Sequence, residues 1–183
     1  VIIGPGPHGL GCVIGAKEVG AEKIILVGRE QDRVRLDVGK ALGATHVYAS
    51  DAEDVPAAVA ELTDGLLAET VVNAADSAAA LELAFSVVGD RGRIVQVGLA
   101  HGWAEGGLDR IASTLIARKI TLSGALGRPS SAVGPALRII ESGRYPLERI
   151  NTGTFEVDET EAALADAPAD PTAIRSVVVP AAA

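Results

Sequence analysis

An apolar run, Val1-Ile2-Ile3, passes straight into Gly4-Pro5-Gly6-Pro7-His8-Gly9. This is a G-x-G-x-x-G turn hung on the end of a strand. Each glycine has its own mechanical task. Gly4 permits a tight turn off the strand, Gly6 lets a pyrophosphate approach the backbone, and Gly9 lets the next helix lie against the sheet. Phosphates held there meet free N–H groups and the positive end of that helix. In a chain with 21 glycines the pattern counts only inside a strand–turn–helix–strand unit. That context is present. Leu10, Val13, Ile14 and Ala16 recur at helical spacing, Gly20 marks a helix end, and Ile24-Ile25-Leu26-Val27 reads as a second, buried parallel strand.

The alternation continues down the chain. Helices are predicted over Asp32–Leu42, with Val34, Val38, Ala41 and Leu42 on one side, then over Asp54–Thr63, Ser77–Val87 and Leu108–Ala117. Strands are predicted at His46–Tyr48, Thr70–Asn73, Arg93–Val97 and Lys119–Ser123. Six strands with intervening helices imply an α/β, doubly wound parallel Rossmann sheet with helices on both faces and strand order 3-2-1-4-5-6. After Gly127 the rhythm changes. Arg128 to Ser131 reads as a turn and cap, followed by a helix at Ala132–Glu141. A strand at Thr152–Val157, a short helix at Glu159–Ala165 and a last strand at Ser176–Val179 follow. The expected division is 1–127 for the Rossmann domain and 128–183 for a small α+β appendage.

Length and charge narrow the function classes. A chain of 183 residues buries about 70% of its unfolded surface and needs no staple. Its single cysteine, Cys12, fits a reducing cytoplasm. A net charge of −8 opposes a nucleic-acid partner, since phosphate backbones want a basic face. No apolar run approaches the ~18 residues of a membrane span, and no signal peptide is recognisable. The motif at residue 1 and the absence of any Met give the chain the look of a fragment.

Several stretches together carry a resemblance. Val1–Gly11 is joined by Lys17-Glu18-Val19-Gly20-Ala21, Arg35-Leu36 and Lys40-Ala41-Leu42-Gly43-Ala44. Further on come Gly92–Gly98, Ile120–Gly124 and the tail Ala173–Val179. In this order and spacing they resemble the cofactor-binding half of the medium-chain dehydrogenase/reductase family, and its zinc-type alcohol and polyol dehydrogenases in particular. The resemblance implies hydride transfer between a nicotinamide cofactor and an alcohol, polyol or carbonyl substrate. It implies that backbone around Gly6, Pro7, His8 and Gly9 holds the pyrophosphate. Ala74 and Ala75 would line the adenosine side. Val97, Gly98, Ala125 and Gly127 would hold the nicotinamide carboxamide, and Arg175 would reach a cofactor phosphate. His8 stands where the family has a small aliphatic residue, so it is either a polar contact to the cofactor or an exposed turn histidine. The family also dimerises through its sixth strand, here Ile120–Gly124, and an apolar edge suits that.

An acid about 20 residues past the glycines normally accepts both ribose hydroxyls and selects NAD. Gly28 stands at that position, with Arg29 beside it and Arg33 close by. Loss of the carboxylate removes repulsion against a 2′-phosphate, and an arginine pairs with one, which favours NADP over NAD. The alternatives are that Glu30 folds back onto the ribose and that both arginines are solvated. Zinc requires three or four converging Cys, His or acidic ligands. Cys12, His8, His46 and His101 are scattered, so no metal site and no catalytic residue is assigned. His101 follows the fifth strand, as a wall of the substrate cleft or as an exposed loop residue. The resemblance places zinc and the proton relay in an N-terminal GroES-like domain, which would leave this stretch inactive alone. Two other classes fit the glycine turn: a non-catalytic redox-sensing NAD(P)-binding module, and a transferase using S-adenosylmethionine.

Overall fold

The computed structural model describes residues 1–99, 107–127, 129–170 and 172–180. Six parallel strands form the main sheet: β1 (Ile2–Ile3), β2 (Ile25–Gly28), β3 (His46–Ala49), β4 (Ala68–Asn73), β5 (Val88–Gln96) and β6 (Thr121–Gly124). Their order is β3-β2-β1-β4-β5-β6, as expected for a doubly wound sheet. The connecting helices are α1 (Pro7–Glu18), α2 (Arg33–Leu42), α3 (Val55–Leu62), α4 (Ala78–Val87) and α5 (Gly107–Arg118). The chain reverses direction of travel across the sheet between β1 and β4, and that switch point is where such sheets leave a crevice.

Period-two alternation along the strands divides the core. Ile2, Ile24 and Leu26 join Leu10, Val13, Ile14, Leu36 and Leu42 beneath α1 and α2. Ile3, Ile25, Val27 and Val71 join Val55, Val59, Leu81, Phe85 and Ile111 beneath α3, α4 and α5. Both faces being covered explains why the inner strands read as unbroken apolar runs. Side-chain caps start two helices: Asp54 accepts from the Ala57 N–H at 3.0 Å and Ser77 from the Ala80 N–H at 3.2 Å.

The sequence misplaces one face. Val38 and Leu42 are buried as expected, but Val34 and Ala41 are exposed, and α2 buries Leu36 and Gly39 in their stead. A 3₁₀ turn at Glu30–Asp32 precedes the helix and rotates its register. Gly39 must also lie inward, because a Cβ there would stand 2.2 Å from Leu26 Cδ2. β5 begins five residues before its predicted start, next to an irregularity in its pairing with β4 between Ala68 and Thr70.

Beyond β6, a 3₁₀ turn at Ser130–Ala132 leads into α6 (Val133–Glu141). β7 (Asn151–Glu156), α7 (Thr160–Ala169) and β8 (Arg175–Val179) then form a separate two-stranded parallel unit. Arg128 lies outside the described residues. The segment is packed against the α1–α2 layer. Ile174, Ile139, Tyr145, Leu147 and Ile150 join that core. Tyr145 donates to Glu18 at 2.5 Å, Arg144 pairs with the same carboxylate at 2.9 Å, and Arg35 donates to the Ala173 carbonyl at 2.6 Å. The hydrogen bonds from Tyr145 and Arg144 hold the Glu18 carboxyl below its ordinary range, and the bond to Glu18 in turn pushes the Tyr145 phenol up. Among the described residues no helix is long and apolar enough to cross a membrane.

Glycines of α1 give a paired test. A Cβ on Gly9 would stand 1.8 Å from the Gly4 carbonyl oxygen, whereas one on Gly11 meets nothing within 4 Å. Gly9→Ala is expected to lower the unfolding free energy by about 2–3 kcal/mol through overpacking. Gly11→Ala is expected to raise it by ~0.5–1 kcal/mol, as in an open helix interior. Urea melts of the two variants check both signs.

Candidate functional site

A cleft of about 620 Å³ opens at the C-terminal ends of β1, β2 and β4. Its floor is the glycine turn. Gly4 has φ +99°, a conformation favouring glycine, and a Cβ there would stand 2.9 Å from the Ala75 nitrogen. The turns after β1 and β4 therefore touch. Gly4 N–H donates to the Val27 carbonyl and Ala74 N–H to the Ile3 carbonyl, each at 2.8 Å. Gly6 is the N-cap of α1, has no side chain over the first turn, and would place a Cβ in open space. Pro7 at the first helical position brings no N–H, so the first-turn donors are those of His8 and Gly9. The cleft is lined by Gly4 and Gly6, by Gly28 and Arg29, and by Ala74 and Ala75. Pro7 and His8 are exposed at the helix start, outside that lining, while Gly9 is buried behind the turn.

The end beside β2 is built from charged side chains. Gly28 is packed closely: a Cβ would stand 2.9 Å from Pro5 Cγ and 3.1 Å from Asp32 Cβ. An acid at this position would have to shift Pro5 and would press on Asp32. Asp32, only 7% exposed, brings a carboxylate nearby. Its Oδ2 accepts the Arg29 N–H at 3.0 Å and its Oδ1 lies 3.3 Å from Arg35 Nη1. Arg35 lines the cleft, and its Nε is buried without a partner. The exposed Arg29 side chain has no ion pair among the described residues. Arg33 is engaged elsewhere. It donates to Glu30 Oε2 at 2.9 and 2.7 Å, lies 3.5 Å from Glu53, and is not part of the lining. Glu30 holds the Arg33 guanidinium above its ordinary pKa. With its carboxylate on Arg33, Glu30 is likewise absent from the lining.

Val97, Gly98, Ala125 and Gly127 do not line the cleft; they lie past the turn after β4, toward β5 and β6, where the exposed groups are backbone. Gly98 packs against the turn after β4, where a Cβ would stand 2.0 Å from the Ala75 carbonyl oxygen. Val97 and Gly98 N–H groups donate to the Asn73 carbonyl at 2.8 and 3.1 Å, and Ala125 N–H to the Gln96 carbonyl at 2.9 Å. Gly127, φ +71°, ends the turn after β6. Arg175 is exposed at the start of β8 and does not line the cleft. His101 lies outside the described residues.

Sequence reasoning overlooked four polar residues here: Asp32, Arg35, Asn73 and Gln96. Asn73 carried a readable signal, being a polar residue at the end of an apolar parallel strand. Arg35 sat inside a recognised stretch without a role. A second groove of similar size, between α4 and α5, is lined by Arg110 and Arg118. Those charges are already spent on Glu82 and Asp90.

Zinc does not fit the described residues. Cys12 is half-buried on α1, His46 faces Thr45 Oγ1 at 2.9 Å, and no group of three His, Cys, Asp or Glu among the described residues could hold a metal ion.

Comparison with known proteins gives a consistent picture. The family model described as zinc-binding dehydrogenase matches residues 7–142. Sorbitol dehydrogenase of Bombyx mori is 32% identical over 167 residues, covering 90% of this chain and 46% of that protein. D-arabitol-phosphate dehydrogenase of Enterococcus avium is 29% identical over 159 residues, covering 87% and 44%. The structure of benzyl alcohol dehydrogenase from Acinetobacter calcoaceticus superposes with a TM-score of 0.81 at 26% identity, over 97% of this chain and 48% of that one. The chain thus spans about half the length of the relatives it matches. It belongs to the zinc-binding dehydrogenase family, within the medium-chain dehydrogenases/reductases.

Proposed function

We propose that this chain is the cofactor-binding part of an oxidoreductase that moves a hydride between NADP(H) and an alcohol, polyol or carbonyl compound. The observation that carries this is the cleft at the switch point, with the Gly4 and Gly6 backbone and the uncapped start of α1 on its floor. Such a floor suits a pyrophosphate, because fixed N–H dipoles replace its water. When bound, the nicotinamide supplies the hydride chemistry, and the protein supplies grip and orientation. Gly4 and Gly6 receive the pyrophosphate with the His8 and Gly9 N–H groups. Ala74 and Ala75 border the adenosine side, and the Val97, Gly98, Ala125 and Gly127 backbone borders the nicotinamide.

Two features support NADP(H) over NAD(H). Pro5 and Asp32 crowd the place of an acid at Gly28, and Arg29 is the cleft cation without an ion pair among the described residues. The buried Asp32 carboxylate supports the opposite choice, through a ribose diol. Arg175 would meet a cofactor phosphate only after movement from its exposed place on β8. Metal and proton-relay residues belong, in this proposal, to a part of the protein outside this chain. Residues 128–183, packed on the α1–α2 layer, would form the junction with it. A cytoplasmic setting accords with the unpaired Cys12 thiol, which burial pushes up in pKa. The redox-sensing alternative is separated from the enzyme by assaying the whole protein for alcohol oxidation.

Fluorescence titration of the chain with NADPH and NADH is expected to give tighter NADPH binding. Arg29→Ala should weaken NADPH by about tenfold, the scale of one charge-assisted hydrogen bond, and leave NADH unchanged. Arg33→Ala should change neither, because Glu30 and Glu53 hold that guanidinium. Tighter NADH binding, or an Arg29→Ala variant with unaltered NADPH affinity, would refute the phosphate pocket.

We further propose that two copies pair through β6. It ends the sheet order, no strand covers its outer edge among the described residues, and Leu122 and Leu126 are exposed there. Sedimentation should report a dimer that Leu122→Asp dissociates. A monomer at every concentration would sink this assembly.

A further inference from the structure

We propose that Asn73 and Gln96 are positioning residues that hold the turns after β5 and β6, which would carry the nicotinamide, in register with the cleft beside β1, β2 and β4. This rests on the cofactor reading above. The two residues are register partners at the C-terminal ends of β4 and β5. Their side chains form one directed chain of hydrogen bonds. Ala75 N–H donates to Asn73 Oδ1 at 3.2 Å, Asn73 Nδ2 donates to Gln96 Oε1 at 2.9 Å, and Gln96 Nε2 donates to the Gly98 carbonyl at 2.6 Å.

The direction is fixed by its ends. A backbone N–H only donates and a carbonyl only accepts, so neither amide can flip without placing two like groups together. Asn73 is 0% exposed, so a lost partner would not be replaced by water, and leaving it unpaired is costly. The backbone carbonyls of the same two residues hold Val97, Gly98 and Ala125. One pair of side chains and their own carbonyls therefore tie together the turns after β4, β5 and β6. No side chain reaches from the glycine turn to Gly98. The link runs through the Gly4–Ala75 and Ala75–Gly98 backbone contacts, which the amide chain braces.

A positioning role differs from a merely structural one in which half of the ligand it affects. Gln96→Glu is nearly isosteric, yet it sets a carboxylate oxygen against the Gly98 carbonyl. Gln96→Met removes both side-chain bonds without adding charge. The chain and both variants are titrated with NADPH and with 2′-phospho-ADP-ribose, which lacks nicotinamide. The same is done with NADH and ADP-ribose. The whole cofactor should bind about 3–10-fold more weakly to each variant, as expected for one or two hydrogen bonds. The nicotinamide-free ligand should stay within about twofold, below the effect of one lost bond. Equal losses for both ligands, or no loss for either, would overturn the assignment. So would unfolding of both variants in thermal melts, which would make the pair a core element only. Failure of the unaltered chain to bind any of the four ligands would instead overturn the cofactor reading, and this proposal with it.

Discussion

A strand of two residues organises this molecule. Ile2 and Ile3 are buried on opposite faces of the sheet, one in each core cluster, and β1 pairs with both β2 and β4. Immediately after Ile3 the chain must turn, and it does so against two neighbours at once. Gly9 of α1 lies below the Gly4 carbonyl and Ala75 lies beside it. A side chain on Gly4 or Gly9 would push apart α1, β1 and the turn after β4. The glycine turn is therefore a packing constraint first. The open floor of the cleft is a consequence of that close packing.

The two sides of the switch point are made of different material. Beside β2 the groups are charged and held by one another: Asp32 fixes the Arg29 N–H and lies against Arg35, while Glu30 and Glu53 take Arg33 out of play. Arg35 also reaches the Ala173 carbonyl, so the β2 end of the cleft and the C-terminal segment share one guanidinium. Beside β5 and β6 the groups are backbone, aligned by neutral amides. Burial explains the difference. Arg29 and Arg33 are exposed and keep their charges in water, and the buried Asp32 carboxylate is paired with Arg35 and the Arg29 N–H. At the sheet's inner edge, where Asn73 is fully buried, an unpaired charge would be costly, and amides satisfy the same donors without one.

Much of this was legible in the residues. The glycine spacing, the β-branched runs and the helix-ending glycines fix six parallel strands and their order, because each local signal agrees with the others. The error on α2 has a local cause. Periodicity was counted from Asp32, but a 3₁₀ turn occupies Glu30–Asp32, and the inward face is chosen by Gly39's approach to Leu26. Neither is visible in hydrophobic spacing. The cleft lining was legible where it rests on backbone shape, at Gly4, Gly6, Ala74 and Ala75. It was less so where partners far apart in sequence decide which charge is free. Arg29 and Arg33 look equivalent in the sequence, and only the fold brings Glu53 to one of them. Asn73 and Gln96 are 23 residues apart and become partners only through strand register.

This division has a consequence for how such a site can change. Side chains at the β2 end face the cleft from one short segment, so one substitution there changes the charge the cleft offers while the sheet stays as it is. The position of Gly28 limits that freedom. A Cβ at Gly28 would press on Pro5 Cγ at 2.9 Å and Asp32 Cβ at 3.1 Å, so an acid there must shift Pro5. It would also press on Asp32, which holds the Arg29 N–H and lies against Arg35. A carboxylate that reads a ribose in this chain is thus most readily Asp32 itself, acting from the 3₁₀ turn. Its two oxygens are already engaged by Arg29 and Arg35, so a diol would have to share them. A phosphate at Arg29 would displace no ion pair among the described residues.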